Sequence, residues 1–97
     1  MLEQNRLRNL RIRALVLHAR RWLESGDAAK AAEAARTALE LEPLYEACVG
    51  LLMHAELKLG NRAGALHSFE TFKALLDTEL GVRPSAAMIK LADGLRR

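Results

Sequence analysis

The chain has 97 residues, of which 51% are hydrophobic but only 4% aromatic, and its formal net charge at pH 7 is +3. This length supports a modest core and excludes a second folding unit, so we expect residues 1–97 to form a single domain. The single cysteine, Cys48, excludes an internal disulfide, and no apolar stretch reaches the ~18 residues of a membrane span, so we expect a cytoplasmic protein without membrane contact.

Leucine and alanine dominate the apolar residues, which favours helices over strands. The first helix is predicted from about Arg6 to Glu24. Its apolar residues form two adjacent stripes at helical spacing, one of Leu7, Leu10, Ala14 and Leu17 and the other of Ile12, Leu15, Ala19 and Trp22. Gly26 suits the left-handed position after a helix and Asp27 suits the cap of the next one, so a short turn is expected there.

The second helix is predicted from Ala28 to Leu41 and is rich in alanine, which lets neighbouring helices approach closely. Pro43 follows its end, as expected from the restriction that proline places on the preceding residue. The third helix is predicted from about Leu44 to Leu59. Six of its residues are expected to face inward: Ala47, Cys48, Leu51, Leu52, Ala55 and Leu59.

A second Gly-Asx turn, Gly60-Asn61, precedes the fourth helix, which is expected to end at Gly81. The inward face of that helix is predicted to consist of Ala65, Leu66, Phe69, Phe72, Leu75, Leu76 and Leu80. Pro84 and a capping Ser85 introduce a fifth helix from about Ala86 to Leu95.

The two Gly-Asx turns lie 34 residues apart, which is the period of a tetratricopeptide repeat. The residues that define the first copy are Gly26, Ala31 and Pro43; those of the second are Gly60, Ala65, Phe69 and Phe72. Asp77 stands where the second copy would have proline, so its last helix is expected to be longer, and Glu56 replaces the aromatic Trp22. The predicted fold is therefore all-α, a right-handed tetratricopeptide-like array of two helix hairpins plus a C-terminal helix.

Four segments also resemble a known family: PLYEA at 43–47, LLMHA at 51–55, GNRAGAL at 60–66 and ELGVRPS at 79–85. They are similar to the bacterial transcriptional activator domain of SARP-type regulators, and the resemblance covers nearly the whole chain. ELGVRPS, which includes Gly81 and Pro84, is its most specific part.

The resemblance implies a non-enzymatic module that dimerises the regulator and contacts partner proteins, with RNA polymerase as one possible partner. In the family, a winged-helix DNA-binding domain precedes this module. No such domain fits within 97 residues, so the chain is expected to be a fragment or a stand-alone relative, without specific DNA binding of its own. A generic tetratricopeptide-like adaptor that holds a peptide or helix in its groove remains the alternative.

Two surfaces are candidates for partner binding. A concave groove would draw on Arg13, Arg20, Gly50, His54 and Lys58. Self-association as a weak homodimer would use the first or the last helix, and in the first helix the stripe of Leu7, Leu10, Ala14 and Leu17.

The N-terminal segment is strongly basic, with six arginines against Glu3 in residues 1–22. Three of them, Arg6, Arg13 and Arg20, are spaced by seven, as on the flank of a helix. This spacing favours a solvated or intramolecularly paired helix face over direct contact with phosphates. The three histidines, His18, His54 and His67, have no spacing typical of metal ligands. We therefore expect no metal, no cofactor and no catalytic residues.

Overall fold

The computed structural model describes residues 2–97, which form five helices and no strand. The helices are α1 (Leu2–Glu24), α2 (Ala28–Leu41), α3 (Glu46–Lys58), α4 (Arg62–Leu80) and α5 (Ala86–Arg96). The prediction of an all-α fold with two hairpins and a fifth helix is confirmed. The bounds of α2 agree with those predicted, while α1 begins four residues earlier than expected.

Each helix packs mainly on the next one along the chain, and α3 also touches α1. Two apolar clusters result. The first lies between α1, α2 and α3 and contains Ile12, Val16, Ala19, Ala31, Ala32, Ala35, Ala38, Cys48, Leu52 and Ala55. The second lies between α3, α4 and α5 and contains Val49, Met53, Ala65, Phe69, Phe72, Leu76, Met88 and Ala92. Helix α3 contributes to both clusters and therefore joins the two halves of the fold.

The 34-residue repeat is visible in the backbone of the two hairpin turns. Gly26 and Gly60 both have positive φ, 90° and 78°, which favours glycine at each turn. Asp27 accepts a hydrogen bond from the N–H of Lys30 at 3.0 Å, and Asn61 accepts one from Gly64 at 2.9 Å. Both hairpins therefore use the same turn and the same capping geometry.

The predicted inward face of α3 is partly wrong. Ala47 and Leu59 are exposed, while Val49 and Met53 are buried although they were not assigned to the core. The reason is that α3 is buried on two sides, against α2 and against α4, whereas the sequence was interpreted with one inward stripe. Leu80 of α4 is also exposed, because the helix ends there and its last turn projects beyond the core.

The ELGVRPS segment forms the connection between α4 and α5. Gly81 ends α4 in the left-handed conformation, with φ of 64°, and donates its N–H to the carbonyl of Asp77 at 2.9 Å. Pro84 is buried. Ser85 caps α5 by accepting from the N–H of Met88 at 3.2 Å, and its own N–H donates to Glu46 Oε1 at 2.9 Å. The segment therefore fixes the start of α5 to the start of α3.

Candidate protein-interaction surface

Four of the five predicted groove residues are exposed: Arg13 and Arg20 on α1, and His54 and Lys58 on α3. The fifth, Gly50, is half-buried. A side-chain β-carbon at Gly50 would lie 3.7 Å from the terminal methyl carbon of Met88, so α5 approaches α3 at this position. Gly50 is thus part of a helix contact, and the accessible part of the predicted groove is a set of basic side chains.

The two apolar stripes predicted on α1 have different surroundings. Ile12 and Ala19, from one stripe, are buried against α2 and α3. The other stripe is exposed: Leu7 is 62% exposed, Leu10 52% and Leu17 47%, and Ala14 is exposed as well. We call these four residues the outer row of α1. The outer row is an apolar strip on the exposed side of α1, which buries Ile12, Val16 and Ala19 on its other side.

The arginines of α1 fall into two groups. Arg8 is engaged within the fold, because its Nη2 donates to the carbonyl oxygen of Leu41 at 2.6 Å and pairs with Glu42 Oε2 at 3.4 Å. It satisfies a carbonyl at the end of α2 that the helix itself leaves free. The remaining arginines of α1 are exposed, and among the described side chains Arg8 accounts for the ion pairing of this helix.

A buried carboxylate, which helical periodicity alone does not predict, lies between α2 and α3. Glu56 is 4% exposed, pairs with Arg36 of α2 and accepts a hydrogen bond from Asn61 Nδ2 at 2.7 Å. The sequence signal was the replacement of an aromatic residue by glutamate at the repeat position of Trp22. At that equivalent position in the first hairpin, Trp22 instead lies under the Lys30 ammonium group, which is 4.5 Å from the ring centre.

Glu56 and Asn61 also explain the glycine at position 64. A β-carbon there would lie 2.9 Å from Glu56 Oε2 and 2.7 Å from Asn61 Cγ, closer than side-chain carbons normally approach. At the equivalent positions the first hairpin has Lys30, Asp27 and Trp22 in place of Gly64, Asn61 and Glu56. Arg36, Glu56, Asn61 and Gly64 therefore form one structural unit, which we call the hairpin clasp.

The cysteine of the chain lies in the core, and the described residues contain no cluster of metal ligands. The Cys48 thiol is buried and donates to the carbonyl oxygen of Ala35 at 3.3 Å, and burial raises the pKa of this thiol to about 11. Because the thiolate is the nucleophilic form, this cysteine is unsuited to nucleophilic attack near neutral pH. Within the described residues, no three His, Cys, Asp or Glu side chains cluster as metal ligands would.

A shallow apolar cavity of about 270 Å³ lies between α2, α3 and α4. Its lining includes Leu39, Leu52 and Phe72, with His67 and Thr71 as polar groups. Among the described residues, those that line the cavity include no Asp, Glu, Lys or Arg. Across the described residues 2–97, no helix combines the length and the apolar character that crossing a membrane requires.

Comparison with known families gives one finding. The family model described as the bacterial transcriptional activator domain matches residues 2–96 of the chain. No curated protein and no solved structure gave a significant match. The match extends over all five helices, so it includes both hairpins and the ELGVRPS connection.

Proposed function

Because the chain belongs to the bacterial transcriptional activator domain family, we propose that it is a non-enzymatic protein-interaction module of a bacterial transcription regulator. In this role it couples a DNA-binding domain to partner proteins or to the transcription machinery. Family membership supports the general role in transcription regulation, and the surface of α1 supports the more specific role in protein contact.

The observation that carries the proposal is the outer row of α1. Leu7, Leu10 and Leu17 expose about half of their side chains, although the same helix buries Ile12 and Val16 on its other side. Burial of such leucines against a partner is favourable by about 25 cal/mol per Å² of apolar surface. Helix α1 is thus apolar on two opposite faces. The core covers one face, and a contact with a partner protein would account for the other.

The alternative function, peptide binding in the concave groove, has weaker support. The accessible groove residues are all basic or histidine, and the contact between Gly50 and Met88 brings α5 close to the middle of α3. The residues of the predicted groove therefore offer charge but little apolar surface. The outer row of α1 offers the apolar surface.

The proposal is tested by fusing the chain to a DNA-binding domain that does not activate transcription, and by measuring a reporter gene in bacteria. The test variant is Leu10→Ala with Leu17→Ala, and the matched control is Leu80→Ala, which removes an exposed leucine from α4. The fusion should raise reporter expression, the double variant should abolish most of that increase, and the control should leave it unchanged.

Immunoblotting of the fusions and circular dichroism of the purified chains establish that all variants accumulate and remain helical. The proposal is wrong if the double variant, at equal abundance, activates the reporter as strongly as the unmodified chain. It is also wrong if the fusion never changes reporter expression.

A further inference from the structure

Helix α1 has the heptad pattern of a coiled-coil helix on its solvent side. When Leu7 is taken as heptad position a, Ala14 is the next a residue, and Leu10 and Leu17 occupy the d positions. Ile12 then falls at position f, opposite the row, and is buried in the core. The exposed outer row therefore has the geometry of an a/d contact strip, and its Ala14 also lines a groove between α1 and α2. From Leu7 to Leu17 it is about 15 Å long, at 1.5 Å per residue.

Both flanks of this strip carry basic side chains. Arg6, Arg13 and Arg20 occupy successive g positions, and Arg11 and His18 occupy e positions. All five side chains are exposed. Among the side chains of residues 4–24, the sole carboxylate is that of Glu24, at the end of the helix.

Charged groups on α2 lie beside the e-side flank of the strip. A shallow groove between α1 and α2 is lined by Arg11 and His18 and also by Lys30 and Glu33. The charges of Lys30 and Glu33 offset each other, so Arg11 remains as the one arginine on the e side, beside His18. The g side, with Arg6, Arg13 and Arg20, is therefore the more strongly basic flank and the better place for a charge test.

We infer that the outer row of α1 docks an acidic amphipathic helix from a partner protein. That helix presents apolar residues at its own a and d positions and Glu or Asp at its e and g positions. In coiled-coil contacts, charges at e and g select the partner. The inference rests on the proposed function and adds the chemistry of the partner to it.

A second copy of the chain fits this surface less well. In either orientation, two α1 helices in contact would bring basic flanks together, for example Arg6 against Arg11 of the other copy in a parallel pair. Like charges placed opposite one another disfavour association.

Nucleic acid and membrane surfaces also fit less well. Phosphate binding depends on basic side chains reaching the backbone, whereas here a row of leucines occupies the centre of the face. Helices that lie in a membrane interface have a broad apolar face, often with Trp or Phe. The outer row of α1 is a narrow a/d strip of four residues, one of which is the small Ala14.

The test uses two labelled helical peptides of about 21 residues, that is, three heptads, with leucine at a and d. One peptide has glutamate at e and g, and its matched control has lysine there. Fluorescence anisotropy with the full chain measures binding of each. We expect the glutamate peptide to bind at least about tenfold more tightly than the lysine peptide, with the difference shrinking as salt rises from about 50 to about 500 mM.

Charge reversal supplies the specific readout. Arg13→Glu with Arg20→Glu should weaken binding of the glutamate peptide at least about tenfold and strengthen binding of the lysine peptide. Arg62→Glu, an exposed arginine on α4, is the control and should change neither affinity. Leu10→Ala with Leu17→Ala should weaken binding of both peptides, because both use the leucine strip.

Three results would overturn the inference: equal affinity for the two peptides, no effect of charge reversal on their ranking, or tighter binding of a DNA duplex or of phosphatidylglycerol vesicles than of the glutamate peptide. The reporter experiment separates this failure from failure of the proposed function. If Leu10→Ala with Leu17→Ala silences the reporter while the peptides bind equally, the partner chemistry is wrong and the interaction role stands. If the double substitution leaves reporter expression unchanged, the proposed function itself is wrong.

Discussion

Arg36 of α2 forms an ion pair with the buried carboxylate of Glu56 on α3. The same carboxylate accepts from Asn61 Nδ2, and Asn61 in turn caps α4. One side chain of the hairpin clasp thus connects three helices. A buried charge is costly unless it is paired and hydrogen-bonded, so the stability of the second hairpin depends on these partners.

Removing the guanidinium group of Arg36 should therefore destabilise the fold. Arg36→Ala leaves Glu56 buried with only the Asn61 amide as its side-chain partner, and we expect the free energy of unfolding to fall by about 1–3 kcal/mol. Urea denaturation measures this value. Arg62→Ala, the removal of an exposed arginine, is the control, and an equal loss in both variants would show that the ion pair contributes nothing specific.

The clasp also predicts an unusual response to a glycine substitution. Alanine in place of a helical glycine normally stabilises by up to about 1 kcal/mol. Gly64→Ala should instead destabilise the chain, because the new methyl group would displace Asn61 and Glu56. Gly94→Ala is the matched control, since a β-carbon at Gly94 in α5 meets no atom within 4 Å. The melting temperature should fall for the first variant and rise for the second; a rise for both would contradict the clasp.

The second apolar cluster depends on two aromatic residues of α4. Phe69 is 2% exposed and Phe72 is 3% exposed. Truncation of either to alanine should cost about 3–5 kcal/mol through lost burial and the cavity left behind. Leu80→Ala, at an exposed position of the same helix, should cost far less. Urea melts close to those of the unmodified chain for the phenylalanine variants would mean that α4 packs in a different register.

The sequence predicted the elements of this fold well, because alanine-rich helices, Gly-Asx turns and proline boundaries are local signals. Ala28–Leu41 has the predicted bounds. Local signals of this kind could not predict which residues of α3 are buried. Its two buried sides depend on how the hairpins stack, and a single stripe is what periodicity alone suggests. Glu56 is the clearest case: its burial requires Arg36, a residue 20 positions away whose proximity only tertiary structure provides.

The candidate site was predicted in part. The residues of the outer row of α1 were visible as an apolar stripe, but the sequence contains two stripes and gives no direct means of deciding which one is buried. Packing decides it, since Ile12 and Ala19 meet α2 and α3. The contact of Arg8 with the end of α2 could likewise not be predicted from local sequence, because its partners Leu41 and Glu42 are over 30 residues away.

Self-association should depend on salt if it uses α1. The weak homodimer expected from the sequence would bring basic flanks together, so sedimentation velocity should find monomer at low ionic strength and more dimer when salt screens the arginines. In a parallel pair, Arg6→Glu should promote the dimer at low salt, because it places a glutamate opposite Arg11 of the other copy. A dimer that is strongest at low salt and insensitive to Arg6→Glu would indicate another interface, such as α5.

Cys48 predicts how stability changes at alkaline pH. Burial raises the pKa of its thiol from 9.0 to about 11, so the folded chain keeps the proton at pH values where the unfolded chain releases it. The resulting stability is fully present below pH 9 and is lost as pH rises through 11. With a shift of this size the loss amounts to about 2–3 kcal/mol.

The measurement is the free energy of unfolding by urea at intervals between pH 8 and 11, for the unmodified chain and for Cys48→Ala. The other ionisable side chains are common to both chains, so their contributions cancel in the difference. The unmodified chain should lose stability more steeply than Cys48→Ala from pH 9 upward. Parallel curves would mean that the thiol ionises as easily in the folded chain as in the unfolded one, which its burial between α2 and α3 argues against.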